Sequence, residues 1–100
     1  MHKPGWKDEY TDQLVQALVN IENEDEGYRL LDDLCTISEI KAMSQRLEVA
    51  RMLNEKHTYT DIAEQTGAST ATISRVKRYL YYGAQGYQVA LKRLRGRIDS

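Results

Sequence analysis

A chain of 100 residues has the length of one small domain, and its 41% hydrophobic and 29% charged residues are typical of a soluble globular protein. No apolar run approaches the roughly 20 residues that cross a bilayer, so we expect a cytoplasmic protein without a membrane partner. One cysteine, Cys35, and two scattered histidines exclude an intrachain disulfide scaffold and a structural zinc site. We therefore expect no cofactor and no metal.

The formal net charge of −1 conceals a strong separation of charge along the chain. Residues 8–39 carry ten acidic residues against one basic residue, whereas residues 70–100 carry seven basic residues against one acidic residue. Such asymmetry is typical of a protein that turns a basic face towards a polyanion. It is equally compatible with two solvated helix surfaces, so charge alone leaves both interpretations open.

Apolar residues recur at helical spacing throughout the chain and predict an all-α fold of five or six short helices. One face of the first helix is formed by Tyr10, Leu14, Ala17, Leu18 and Ile21. A second helix starts near Gly27 and presents Tyr28, Leu31, Leu34 and Cys35. A third helix presents Ile40, Met43, Leu47, Ala50 and Leu53, with Thr36 or Ser38 as its cap.

The second half of the chain predicts three further helices. Thr58 followed by Asp61 is typical of a helix start, and Gly67 ends this fourth helix. The fifth is lined by Ile73, Val76 and Leu80, and the sixth begins after Gly86. No alternation of period two is long enough for a strand.

The segment 59–78, YTDIAEQTGASTATISRVKR, has the spacing of a helix-turn-helix. This unit needs a short turn at a residue that tolerates positive φ, which Gly67 supplies, and a small residue where the helices approach, which Ala63 supplies. The positions that pack the pair against the domain are apolar: Ile62, Ala68, Ile73 and Val76. A small-residue turn between amphipathic helices also arises by chance in helical bundles.

The second helix of this unit has the composition of a DNA-reading helix. Its first residues are small, which allows close approach to base edges, and cations follow that suit the phosphate backbone. We predict base contacts by Thr70, Ala71 and Ser74, and phosphate contacts by Ser69, Thr72, Arg75, Lys77 and Arg78. The alternative is an N-cap followed by a solvated face. That alternative is weakened because five short residues in six positions are poor interior helix formers.

Three tyrosines, Tyr79, Tyr81 and Tyr82, close the reading helix. Exposed aromatic rings suit single-strand binders more than duplex readers, so we expect these rings to pack against the last helix.

The segment DLCTISEIKAMSQRLEVARMLNEKHTYTDIAEQTGASTATISRVKR resembles the Trp repressor family, within it the Trp-repressor-like branch of the YerC/YecD type. The resemblance extends over about residues 30–94 and implies six helices that form an intertwined homodimer. With the length of the chain, it leads us to expect a single domain of this type over residues 1–100, with dimerisation helices at about 8–54. The helix-turn-helix then spans about 58–82, and a C-terminal helix about 84–95.

The resemblance also implies a ligand pocket. Thr36, Arg46 and Arg75 match the residue types with which the family holds its corepressor, tryptophan. Val76 stands where the family has glycine and Tyr79 where it has serine, and both add volume to the slot. We therefore expect DNA binding that does not need tryptophan.

These observations together predict a homodimeric, sequence-specific regulator of transcription that binds double-stranded DNA, most readily a repressor. The alternative is a helical adaptor whose basic half binds an acidic protein. We expect no enzyme, because the sequence contains no Ser/His/Asp set, phosphate-binding glycine loop or paired-carboxylate pocket.

Overall fold

The computed structural model describes the backbone of residues 1–99 and the side chains of residues 1–96. Over this range the chain is all-α, with six helices and no strand, as the sequence predicts. The helices in chain order are α1 (Glu9–Val19), α2 (Glu24–Leu34), α3 (Ile37–Asn54), α4 (Tyr59–Thr66), α5 (Thr70–Tyr82) and α6 (Gly86–Asp99).

Two compact units divide the chain, residues 1–40 and residues 41–100. In the first unit, α1 and α2 contain no buried residue, although both carry apolar side chains at helical spacing. Its exposed large apolar residues include Trp6, Tyr10, Leu14, Val15, Leu18, Val19, Tyr28 and Leu34. Burying one large apolar side chain stabilises a protein by about 1.5–3 kcal/mol. An apolar helix face that is exposed to water is therefore typical of a surface that packs against a partner.

The second unit has a proper hydrophobic core. It is built from the C-terminal half of α3 together with α4, α5 and α6, and comprises Val49, Ala50, Met52, Leu53, Ile62, Ala68, Ile73, Val76, Leu80 and Leu91. No charged or polar residue is buried among the described side chains. This core carries the helix-turn-helix and fixes the orientation of α5 relative to α4.

The helices begin where the sequence predicts them to begin at the positions for which it offers a capping residue. Thr36, rather than Ser38, caps α3, because its Oγ1 accepts a hydrogen bond from the Glu39 backbone N–H at 3.1 Å. The Glu39 carboxylate accepts in return from the Thr36 N–H at 2.8 Å, which completes a capping box.

Three predicted boundaries are wrong. The second helix begins at Glu24 instead of near Gly27, because the side chain of Asn23 caps it by accepting from the Glu26 N–H at 2.9 Å. The first helix ends at Val19, so Ile21 lies outside it. The last helix continues to Asp99, beyond the predicted end near residue 95.

Candidate nucleic-acid interface

Gly67 forms the turn between α4 and α5. Its φ of 73° and ψ of 6° lie in the left-handed region, as predicted, and its N–H donates to the Ala63 carbonyl at 2.9 Å. The N-caps on either side of the turn are also local: Thr58 Oγ1 accepts from the Asp61 N–H, and Ser69 Oγ from the Thr72 N–H. The turn is therefore specified by residues within four positions of each other.

Two side chains that the sequence did not single out hold this turn in place. Thr66 Oγ1 donates to the Ile62 carbonyl at 2.7 Å and accepts from the Ala68 N–H at 3.1 Å. The Gln45 side-chain amide on α3 donates to the Thr66 carbonyl at 3.1 Å. Only the bond from Thr66 to Ile62 has a sequence signal, a hydroxyl four residues after a helical carbonyl. The Gln45 bond spans 21 residues and has none.

The four positions predicted to pack the helix pair against the domain, Ile62, Ala68, Ile73 and Val76, are all buried. Ala63, the predicted point of close approach, is half-buried and lies against the same core. The inner face of α5 is therefore occupied by packing, and apart from the half-buried Thr72 its other side chains are exposed.

The outer face of α5 presents the predicted DNA-contacting residues. Thr70, Ala71, Ser74, Arg75, Lys77 and Arg78 are exposed, whereas Thr72 is half-buried. The Ser69 and Thr72 hydroxyls lie 3.1 Å apart and hydrogen-bond to each other at the start of the helix. A shallow groove along this face joins Ala71, Ser74, Arg75, Arg78 and Tyr79.

Tyrosine rings lie against the cations of this face, which the sequence did not predict. The guanidinium carbons of Arg75 and Arg78 lie 5.8 and 5.6 Å from the centroid of the Tyr79 ring. Lys77 Nζ lies 5.6 Å from the centroid of Tyr59 at the start of α4. These distances are within the range of cation–π attraction.

The expectation that the three tyrosines pack against the last helix is wrong for Tyr82, which is 88% exposed. Tyr81 is also exposed and has Lys56 Nζ 5.7 Å from its ring centroid. Helical geometry explains this, since consecutive positions are about 100° apart and Tyr81 and Tyr82 cannot both face the last helix. The core positions on that helix are already taken by Val76 and Leu80.

Part of the predicted ligand pocket comes together in the structure. Arg46, Arg75, Val76 and Tyr79 line one cleft of about 310 Å³, which Tyr87 on α6 completes. Val76 is 1% exposed and belongs to the core, while the Tyr79 ring is half exposed. The fifth residue predicted for the pocket is Thr36, whose hydroxyl oxygen caps α3 by accepting from the Glu39 N–H.

Within the described residues, no group of three or more His, Cys, Asp or Glu side chains comes together in a way that could hold a metal ion. None of the helices in this part of the chain is both long enough and apolar enough to cross a membrane.

A capped helix, a left-handed glycine turn and a second capped helix together have the arrangement of a helix-turn-helix unit. Residues 9–95 match the Trp repressor protein family, and the chain belongs to that family. The resemblance seen in the sequence is thereby confirmed. The family consists of non-enzymatic DNA-binding proteins, which also confirms that the chain is not an enzyme.

Relatives and solved structures agree with this assignment. The chain is 56% identical to the uncharacterized protein YerC of Bacillus subtilis (strain 168) over 84 residues, which are 84% of this chain and 81% of YerC. A TrpR-like protein from Eubacterium eligens has a crystal structure that superposes with a TM-score of 0.84, at 55% identity, over 88% of this chain and 91% of its own. A candidate Trp repressor from Staphylococcus aureus gives 0.84 at 46% identity, covering 89% of both chains.

Proposed function

We propose that this protein is a sequence-specific regulator of transcription that binds double-stranded DNA through α5, acts in the cytoplasm and represses its target. The observation that carries the proposal is the exposed face of α5, where small polar side chains precede three cations. Small side chains at the start of a reading helix let it enter the major groove, and cations on the same face meet the flanking phosphates. Family membership supports the same conclusion.

Roles follow from position along α5. We assign base contacts to Thr70, Ala71 and Ser74, whose side chains are exposed on the first two turns. We assign phosphate contacts to the later cations and to the cap hydroxyls: Ser69, Thr72, Arg75, Lys77 and Arg78. Ser69 and Thr72 can meet a phosphate because a helix N-terminus directs free N–H groups and a positive dipole end at an anion.

We also propose that the DNA-binding form is a homodimer. Supporting this, the first 40 residues bury no side chain of α1 or α2 within one chain although both helices carry an apolar face. A second copy of the chain would cover those faces with the same faces of its own, as a two-fold symmetric interface requires. Two copies of α5 would then meet successive turns of one duplex.

Our proposal includes DNA binding without tryptophan. It is supported by Val76 and Tyr79, which contribute side chains to the cleft between Arg46 and Arg75 at positions where the resemblance implies glycine and serine. Among the described residues that line the cleft there are two guanidiniums and no carboxylate, so none of them offers the ammonium group of an amino acid an ion pair.

Selection of bound sequences from a random duplex library tests the proposal. We expect enrichment of a two-fold symmetric sequence, both with and without an amino-acid mixture. A salt titration of binding to random duplex should give a steep log–log slope, because each neutralised phosphate contributes about −0.9. A shallow slope without sequence enrichment would favour the alternative, an adaptor whose basic half binds an acidic protein.

A further inference from the structure

Four cations of the helix-turn-helix region share one kind of partner. Lys56 lies at the Tyr81 ring, Lys77 at the Tyr59 ring, and both Arg75 and Arg78 at the Tyr79 ring, at 5.6–5.8 Å from the ring centroids. Among residues 1–96, no carboxylate forms an ion pair with any of the four. Their side chains are therefore held by rings.

Three other cations among the described residues are held by carboxylates instead. Lys7 pairs with Asp12 at 2.6 Å and Arg29 with Asp25 at 2.7 Å. Arg51 contacts two carboxylates at 2.6 Å, and these contacts raise its pKa above the ordinary arginine value. A carboxylate orients a cation but cancels its charge, whereas the face of a neutral ring orients it and leaves the charge intact.

This difference matters for a surface that binds phosphates. Affinity for a nucleic-acid backbone depends on the number of uncancelled cations that displace counterions. An arginine that is free in solution must also lose side-chain freedom when it meets a phosphate, and a ring that already restricts it reduces that loss. A ring contact thus leaves the positive charge of the arginine available and lowers the free-energy cost of ordering its side chain at a phosphate.

Tyr79 is the strongest case because its single ring serves two guanidiniums. The ring is half exposed, and it lies one residue after Arg78 and one helical turn after Arg75. Arg75 and Arg78 also share the groove on the outer face of α5 with this ring. The ring thus contacts two arginines that are already neighbours, at i and i+3, on one face of α5.

We propose that Tyr79 is a positioning residue. Its ring orients Arg75 and Arg78 side by side, with their positive charges not neutralised by a carboxylate, so that they can bind neighbouring phosphates of a duplex. The inference rests on the proposed function and adds a residue for which the sequence pattern predicts no role in DNA binding. It also separates two properties of Tyr79, its volume and its aromatic face.

The test compares Tyr79→Leu, which keeps an apolar side chain but removes the ring, with Tyr79→Phe, which keeps the ring. Tyr82→Leu is the matched control, since Tyr82 lies on the same helix and makes no ring contact with a described cation. We expect Tyr79→Leu to lower duplex affinity about five- to tenfold, which is the low end of the cost of ordering two arginine side chains that the ring no longer restricts. Tyr79→Phe and Tyr82→Leu should bind as the unmodified protein does.

The salt dependence and a mutant cycle identify the mechanism. Tyr79→Leu should leave the log–log salt slope unchanged, because both arginines remain charged. In a background that carries Arg75→Ala and Arg78→Ala, the same change should have no further effect, because nothing remains for the ring to position. An equal loss of affinity in both backgrounds would overturn the inference and leave the DNA-binding proposal standing.

A readout on the free protein separates the two proposals. The Arg75 and Arg78 Nε–Hε resonances should be shifted by the ring current in the unmodified protein and in Tyr82→Leu, but not in Tyr79→Leu. Absence of that shift in a folded protein, judged by circular dichroism, overturns the positioning role. If instead the double arginine variant bound duplex as well as the unmodified protein, the phosphate assignment in the proposed function would be wrong, and the positioning role with it.

Discussion

At the scale of single residues, Gly67 is the position where backbone conformation matters most. Its φ of 73° is disfavoured for residues with a Cβ, yet an added Cβ would meet no atom within 4 Å. The cost of substitution is therefore conformational rather than steric, about 1 kcal/mol for alanine. Valine, which is β-branched, should cost more.

We predict that Gly67→Val loses duplex affinity by a larger factor than it loses helicity, because the strained turn tilts α5 while the helices persist. Gly67→Asn is the control, since asparagine adopts the left-handed region more readily than other residues with a side chain. Circular dichroism and fluorescence anisotropy with a labelled duplex measure the two effects. Equal duplex affinity in a folded Gly67→Val variant would show that DNA binding does not depend on the geometry of this turn.

A second prediction at this scale concerns the cations of α5. Lys77→Ala or Arg78→Ala should weaken binding to every sequence by a similar factor and lower the salt slope by about one unit for each phosphate that the variant no longer neutralises. Parallel titrations on the selected sequence and on random duplex check this. Weaker binding to the selected sequence alone, with the slope unchanged, would mean that these residues read bases.

A third prediction concerns Val76 and Tyr79, to which we assign the exclusion of tryptophan from the cleft. Calorimetry of the unmodified protein with L-tryptophan should show no saturable heat at millimolar ligand, and duplex affinity should not change on its addition. The double variant Val76→Gly, Tyr79→Ser enlarges the cleft beside Arg46 and Arg75 and should lose duplex affinity or make it respond to tryptophan. DNA binding by the unmodified protein only after tryptophan is added would contradict the proposal.

At the scale of helices, side-chain caps matter because several elements are too short to be stable alone. The shortest, α4, has 8 residues, and α1 and α2 have 11 each. Isolated helices below about 12–15 residues are marginal in water. A cap contributes about 1 kcal/mol, which is a substantial share of what such a helix needs.

Two caps should make stability depend on pH. The Thr11 backbone N–H donates to the Asp8 carboxylate and lowers its pKa below 3.8, and the Thr36 N–H lowers the pKa of Glu39 below 4.5 in the same way. A carboxylate whose pKa is depressed in the folded state stabilises it above the unfolded value, and this stabilisation is lost as the pH falls through the folded value. The unfolding temperature should therefore decrease below about pH 4.5.

Asp8→Asn isolates the contribution of the first cap, because asparagine caps a helix but does not titrate in this range. The variant should unfold near the temperature of the unmodified protein at neutral pH and lose less stability on acidification. Thermal melts followed by circular dichroism, from neutral pH down to well below the ordinary pKa of aspartate, measure this. Identical acid profiles for the two proteins would show that Asp8 does not contribute to the pH dependence.

At the scale of the whole molecule, charge and apolar surface are distributed unevenly between the two units. Residues 1–40 hold ten acidic and three basic residues, and residues 41–100 hold five acidic and eleven basic residues. The acidic unit is the one whose helices α1 and α2 bury nothing within a single chain. Self-association and DNA binding are thus proposed for different parts of the chain.

We expect a dimer in sedimentation experiments at micromolar concentration. Leu14→Glu, on the apolar face of α1, should weaken the dimer because it places a charge in an apolar interface. Gln13→Glu, on the neighbouring exposed side of the same helix, introduces the same charge and should not. A folded monomer of the unmodified protein at this concentration would contradict the intertwined dimer.

Sequence alone determined the features of this protein that depend on neighbours within four residues. The caps at Thr58 and Ser69, the left-handed turn at Gly67 and the helical periods all arise from local hydrogen bonds and backbone conformation, and these also carry the family resemblance. The start of α2 is also set locally, by the cap at Asn23, and it lies three residues before the start near Gly27 that the apolar spacing predicts.

Tertiary structure alone decided which distant side chains meet. The contact of Lys77 with Tyr59, the bond from Gln45 to Thr66 and the closure of the cleft by Tyr87 join residues 8–41 positions apart. Such contacts depend on how α3, α4, α5 and α6 pack around the shared core, and a helical period specifies only which face of a helix is buried. The pairing of Lys77 with Tyr59 and of Lys56 with Tyr81 is therefore visible only in the folded chain.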